Sequence, residues 1–167
     1  MIEEKAVGKD SPELVPDLKS LIALYEAGNR FSRTEDIYKR VIAIVTATAG
    51  ADSPDVASAM NGLANAYRAD GRYEEAEEAL ERAARLDPFQ VDTLIALGLC
   101  HAASGRRREC VQVLERARNL APNDPDVLYN LGLAYEDAVP EGRGPPTIDD
   151  AIAMYRRVLE LAPEYKA

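Results

Sequence analysis

Residues 57–88 read ASAMNGLANAYRADGRYEEAEEALERAARLDP, and their spacing decides the fold. Met60, Leu63, Ala64 and Tyr67 share one face of a helix, Gly71 breaks it, and Ala76, Leu80 and Ala83 share one face of a second helix that Leu86 and Pro88 close. Moving the window from 57 to 91 returns Leu94, Leu97, Gly98, His101, Gly105, Cys110, Leu114, Ala117, Leu120 and Pro122, and moving it from 91 to 125 returns Leu128, Leu131, Gly132 and Tyr135. The period is therefore 34 residues, the step from 57 to 91. Large apolar, small, turn-glycine and terminal-proline positions recur together, so each period supplies two helices whose apolar stripes need a neighbour to cover them.

A helix-turn-helix period carrying these residues resembles the tetratricopeptide repeat. The resemblance implies an all-α, right-handed superhelix (an α-solenoid) of about four helix-turn-helix repeats, working as a non-enzymatic interaction scaffold. Further upstream the spacing lengthens. Gly8, Asp10, Ser11, Pro12 and Tyr25 return 42 residues later as Gly50, Asp52, Ser53, Pro54 and Tyr67, and Ile2 matches Ile44. This first repeat resembles the kinesin-light-chain type, whose extended second helix ends in a Gly-x-Asp-x-Pro turn, with Ser11 and Ser53 where that family often has His. The chain then divides into residues 1–9, the tail of a preceding half-repeat; 11–52, a long first repeat; 53–88 and 89–122, the second and third; and 123–163, a fourth with a loop insertion at 139–147. A half-repeat at the start leads to the expectation of a fragment of a longer array, or of a chain that begins with an unusual half-repeat, and the uncapped last helix favours the longer array or self-association, because a repeat buries its apolar surface only against neighbours.

Local signals agree with this division. Ser11 and Ser53 are N-caps followed by Pro and then an acidic residue, so helices are expected to start there. Asn29 stands where later repeats have the turn glycine, and Asn tolerates a left-handed backbone better than most residues. The β-branched residues between Val41 and Thr48 lower helix propensity, and repeat context is expected to override them. Ala64 with Ala76, and Gly98 with Cys110, fall where paired helices should cross closely. Asp124 and Pro125 open the last repeat, and Thr147 with Asp150 caps a helix running from Ile148 to Leu161.

Charge and composition narrow the function. The formal net charge is −9 with a pI near 4.7, which repels phosphate backbones and anionic lipid. Arg106, Arg107 and Arg108 read as a solvated loop, with no interleaved aromatic residues for base stacking. The longest apolar run, Val41 to Val45, is far short of the roughly 20 residues of a membrane span, and Met1 to Asp10 carries no apolar signal segment. A cytoplasmic setting is the default expectation. Cys100 and Cys110 read as small core residues, and the single histidine, His101, aligns with Tyr67 and Tyr135. Glu74, Glu75, Glu77 and Glu78 read as the outer face of an amphipathic helix. No catalytic set, metal motif or cofactor loop is present.

In the resembled family the first helix of each repeat lines a concave groove. Residues of those helices that face away from the packing stripe are Lys19, Ala23 and Glu26; Asn61, Asn65 and Arg68; Ile95, Leu99 and Ala102; and Tyr129, Leu133 and Glu136, with Asn130 beside them. The expected groove is polar at one end and apolar at the other. Asn61 and Asn65, one turn apart, offer donors and acceptors to an extended peptide backbone, and Lys19 and Arg68 could hold a carboxylate. Ile95, Leu99, Tyr129 and Leu133 could receive apolar side chains, or could simply tighten helix packing. The carboxylate clamp of the chaperone-binding subfamily is not matched, because Ala23, Gly62, Asp92 and Ala96 stand where it has Asn, Asn, Lys and Arg. The expected partner is a protein or peptide rather than nucleic acid or membrane, with self-association through uncapped ends possible. Alternatives are a regulatory or targeting segment of a larger enzyme, or a self-assembly module.

Overall fold

The computed structural model describes residues 10–138 and 146–163. Among them are eight α-helices and no strand: α1 Val15–Ala27, α2 Glu35–Ala49, α3 Pro54–Ala69, α4 Tyr73–Leu86, α5 Val91–Ala103, α6 Arg107–Leu120, α7 Pro125–Ala138 and α8 Ile148–Leu161. They fall into two compact units, one ending at Pro88 and one beginning at Phe89. Among the described residues no helix is long and apolar enough to cross a membrane. The expected helix tail before residue 10 and most of the inserted loop, residues 139–145, lie outside the described residues.

In the first unit α3 packs on both α2 and α4, and its small and large residues alternate to make the contact. Ala64 and Ala76 are fully buried, as are Leu80 and Ala83. A cluster of Ile22, Val41, Val45, Val56 and Met60 joins α1, α2 and α3. The β-branched stretch is helical throughout, because burying Val41, Ile44 and Val45 returns roughly 1.5–3 kcal/mol each against a propensity cost below about 0.7 per residue.

Three turns are built alike. Arg30, Arg72 and Arg106 each donate a backbone N–H to the carbonyl five residues back, on Tyr25, Tyr67 and His101, at 2.8–2.9 Å. This 6→1 closure needs a left-handed residue just before the donor. Gly71 (φ 78°) and Gly105 (φ 71°) supply it, and so does Asn29 (φ 53°), the non-glycine the sequence placed there.

One helix start departs from expectation. Ser53 caps α3 directly, its hydroxyl accepting from Asp55 N–H at 3.1 Å, whereas Ser11 opens only a 3-10 turn, Pro12–Leu14, and α1 begins at Val15. The reason is Pro16. In an α-helix begun at Pro12 its nitrogen would have to donate to the Pro12 carbonyl, but it has no N–H and its ring would strike that oxygen. The Val15 N–H takes the Pro12 carbonyl instead, one residue tighter. A second 3-10 turn, Phe31–Arg33, precedes α2, where the buried Thr34 hydroxyl donates to the Phe31 carbonyl at 2.7 Å.

In the second unit α6 packs on α5 and α7, and α8 on α7. Leu94, Ala117 and Val127 form one cluster, and Cys110, Val111, Leu114, Leu131, Ala134, Tyr135 and Ala151 another. Gly98 marks a close crossing, but its nearest neighbour is Leu114 and not Cys110: an added Cβ would lie 2.8 Å from Leu114 Cγ. The branched end of that leucine fills the space a side chain would need. Asp124 caps α7 by accepting from Asp126 and Val127 N–H at 2.9 and 3.1 Å. Thr147 and Asp150 form a reciprocal capping box on α8.

Candidate functional site

Lys19 and the α3 residues expected to act together occupy separate places in the first unit. Asn61, Asn65 and Arg68 follow one another along α3, where Arg68 Nη2 donates to Asn65 Oδ1 at 3.4 Å. Among the described residues Asn61 Oδ1 and Arg68 Nε have no hydrogen-bond partner. Lys19 instead lines a cavity of about 220 Å³ with Ile22, Ala23, Glu26 and Tyr38, and none of the three α3 residues lines it. The Tyr38 hydroxyl donates to Glu26 Oε1 at 3.0 Å, and its ring occupies the space above Gly62, where a Cβ would lie 2.5 Å from Cε1. Burial, and then the Glu26 charge, push the Tyr38 phenol up.

A larger cavity, about 560 Å³, opens in the second unit between α5, α6 and α7. Its floor is apolar: Leu99, Ala102, Cys110, Leu114, Leu133 and Ala134. Arg107, Asn130, Glu136 and Asp137 complete its lining with polar groups. Of the residues expected in the apolar end of the groove, Leu99 and Leu133 line this cavity, as do Asn130 and Glu136. Ile95 does not; it packs against the two core clusters of the unit. Tyr129 also stands outside, its ring tilted 53° on Tyr155 with centroids 6.1 Å apart.

Polar contacts at the cavity are specific. Arg107 Nε donates to Asp137 Oδ2 at 2.9 Å, so this arginine, expected in a solvated loop, lies in the first turn of α6 and ties it to α7. Tyr155 OH donates to Glu136 Oε2 at 3.0 Å, and Asn130 Nδ2 donates to the Asp126 carbonyl at 2.7 Å. Burial, and then the charge of Asp137, push the Cys110 thiol up to about 11, which leaves it an inert wall of the cavity. Cys100 is buried too, and the two are not joined. Sequence reading missed Arg107, Cys110, Leu114, Ala134 and Asp137 as cavity residues. Asp137, directly after Glu136, was the nearest available signal.

A polar hub in the first unit also escaped sequence reading. Glu35 accepts from Lys39 Nζ at 2.6 Å, Arg72 Nη1 at 2.6 Å and Tyr67 OH at 2.9 Å. The Arg72 guanidinium stands 4.3 Å over the Tyr67 ring and also bonds Glu75 at 2.9 Å. The hub pins the start of α2 to the α3–α4 turn. The Lys39 ammonium, with Arg72 beside it, holds the Glu35 carboxyl down at about 2. His101 fills the same buried place in its repeat as Tyr67 and Tyr135 do in theirs.

Two family profiles described as tetratricopeptide repeat match this sequence, over residues 18–88 and 67–131. No curated protein matches it. Among solved structures, the kinesin-light-chain-like, nearly identical TPR-like repeats of Podosopora anserina are 20% identical with a TM-score of 0.75, covering 99% of this chain and 82% of that one. A single-substitution variant of those repeats gives 0.76 over the same shares. MamA is 22% identical with a TM-score of 0.71, over 96% of this chain and 85% of its own. At these identities what is shared is the fold.

Proposed function

The chain belongs to the tetratricopeptide-repeat family, and on that premise we propose that it is a non-catalytic scaffold that binds a partner protein through a peptide or helix laid along the first helices of its repeats. The observation that carries this reading is the cavity floored by Leu99 and Leu133, whose 560 Å³ accommodates a large side chain. Leu133 and Tyr129 are exposed beside it on α7, more apolar surface than folding of the unit requires. On α3, the exposed amide of Asn65 offers acceptor and donor groups to the backbone of an extended segment.

A peptide library displayed on phage and selected against the full chain tests the reading. Selected peptides are expected to bind saturably, to lose at least tenfold in affinity to Leu99→Glu, and to lose several-fold to Asn65→Ala. Neither variant should shift the melting temperature by more than a few degrees, since Asn65 is exposed and Leu99 lines an open cavity. A library that yields no saturable binder, or binders indifferent to both substitutions, overturns the proposal.

A further inference from the structure

The cavity of the second unit has a chemistry that selects among side chains. Its floor supplies Leu99, Ala102, Leu114, Leu133 and Ala134, and its volume of about 560 Å³ has room for a chain of three or four methylenes. Its polar edge holds three ionisable groups. Arg107 pairs with Asp137 at 2.9 Å, and with Glu136 the three groups together carry one net negative charge.

On the two acidic residues the hydrogen-bonding capacity left over has one sense. Asn130 spends one of its two amide N–H donors on the Asp126 carbonyl and keeps the other together with Oδ1. Glu136 receives the Tyr155 hydroxyl on Oε2 and keeps Oε1. Asp137 meets Arg107 through Oδ2 and keeps Oδ1. What remains on Glu136 and Asp137 is acceptors only, with the Asn130 amide beside them, around an apolar floor. The Asp137 charge adds to burial in disfavouring a Cys110 thiolate at the wall of the cavity.

Building on the peptide-binding reading above, we propose that this cavity takes a lysine or arginine side chain of the partner protein, its methylenes on Leu99 and Leu133 and its cationic head among Asn130, Glu136 and Asp137. A long aliphatic stem with a terminal cation is the side-chain chemistry that satisfies both parts of the cavity at once. A carboxylate would face Glu136, and a purely aliphatic side chain would leave the acceptors unpaired.

Three small probes of one length separate these cases on the intact chain: hexylamine, hexanol and hexanoate, titrated while the methyl resonances of Leu99 and Leu133 are followed by NMR. Hexylamine is expected to bind at least fivefold more tightly than hexanol, with hexanoate weakest. Glu136→Gln should remove most of the preference for the amine while leaving hexanol unchanged. Asp137→Asn, which keeps an acceptor beside Arg107, provides a second variant should Glu136→Gln disturb the α7–α8 contact, and should weaken amine binding likewise. Equal binding of amine and alcohol, or an amine preference unmoved in both variants, overturns the proposal. The two readings fail separately. Peptides selected without Lys or Arg at the cavity would leave the scaffold standing and remove this assignment. An amine-selective cavity in a chain that selects no peptide would do the reverse.

Discussion

Single residues carry much of what distinguishes this chain. Gly98 is one, because Leu114, almost wholly buried, already fills the volume that a Cβ would need. Gly98→Ala gains about 1 kcal/mol of helix propensity but forces overpacking worth about 1–3 kcal/mol. The expected net result is a less stable second unit, measured as a lower urea midpoint with an unchanged slope. Asn29 shows the opposite tolerance: at φ 53° its amide side chain accepts a left-handed backbone that alanine would strain, so the turn survives without glycine. Both positions were visible in the sequence as repeat positions. That Leu114, and not Cys110, is what Gly98 accommodates was not, since the period fixes which helices pair but not how far one slides along the other.

At the scale of helices, ends and latches decide. The hydroxyl of Thr147 accepts from Asp150 N–H while Asp150 accepts from Thr147 N–H at 2.8 Å, so two of the orphan donors at the start of α8 are satisfied. Thr147→Ala is expected to cost about 1 kcal/mol in equilibrium unfolding. The Glu35 hub makes a pH-dependent contribution. Its carboxyl sits at about 2 in the folded chain against an ordinary 4.5. A depressed carboxyl stabilises fully above its unfolded value and loses that contribution as pH falls toward its folded one. The stability difference between the native chain and Glu35→Gln should therefore be full at pH 7 and close between about pH 4.5 and 2, which urea titrations across that range would measure. Neither the hub nor the 3-10 opening of α1 was read from sequence. Glu35, Tyr67 and Arg72 lie on separate elements with no spacing rule to join them, and the helix start was read from Ser11 and Pro12 alone, without Pro16.

For the molecule as a whole, position within the packing outranks residue type. Leu80 is fully buried, whereas Leu24 is 72% exposed. Leu80→Ala should cost about 2–5 kcal/mol, because it removes buried methylenes and leaves a cavity. Leu24→Ala should change stability by less than about 0.5 kcal/mol. Thermal or denaturant unfolding of the two variants side by side checks this, and equal losses would mean that the outer face of α1 is covered in solution.

The amino-acid sequence by itself determined the all-α class, the repeat period, the helix pairs and the caps at Ser53, Asp124 and Thr147, because each of these follows from local chemistry read at a known spacing. Leu63, Ala64, Tyr67, Ala76 and Leu80 needed no coordinates to be placed in the core. Only the tertiary structure decided which groove candidates share a cavity. Leu99 and Leu133, on two different helices, line one cavity while Ile95 packs on the core, Arg107 crosses to Asp137, and Lys19 shares its cavity with none of Asn61, Asn65 and Arg68. The physical reason is that repeat spacing specifies the face of a helix, whereas a cavity depends on the rotation and slide of neighbouring helices. Those are set by the volumes of interlocking side chains, and a period does not encode them.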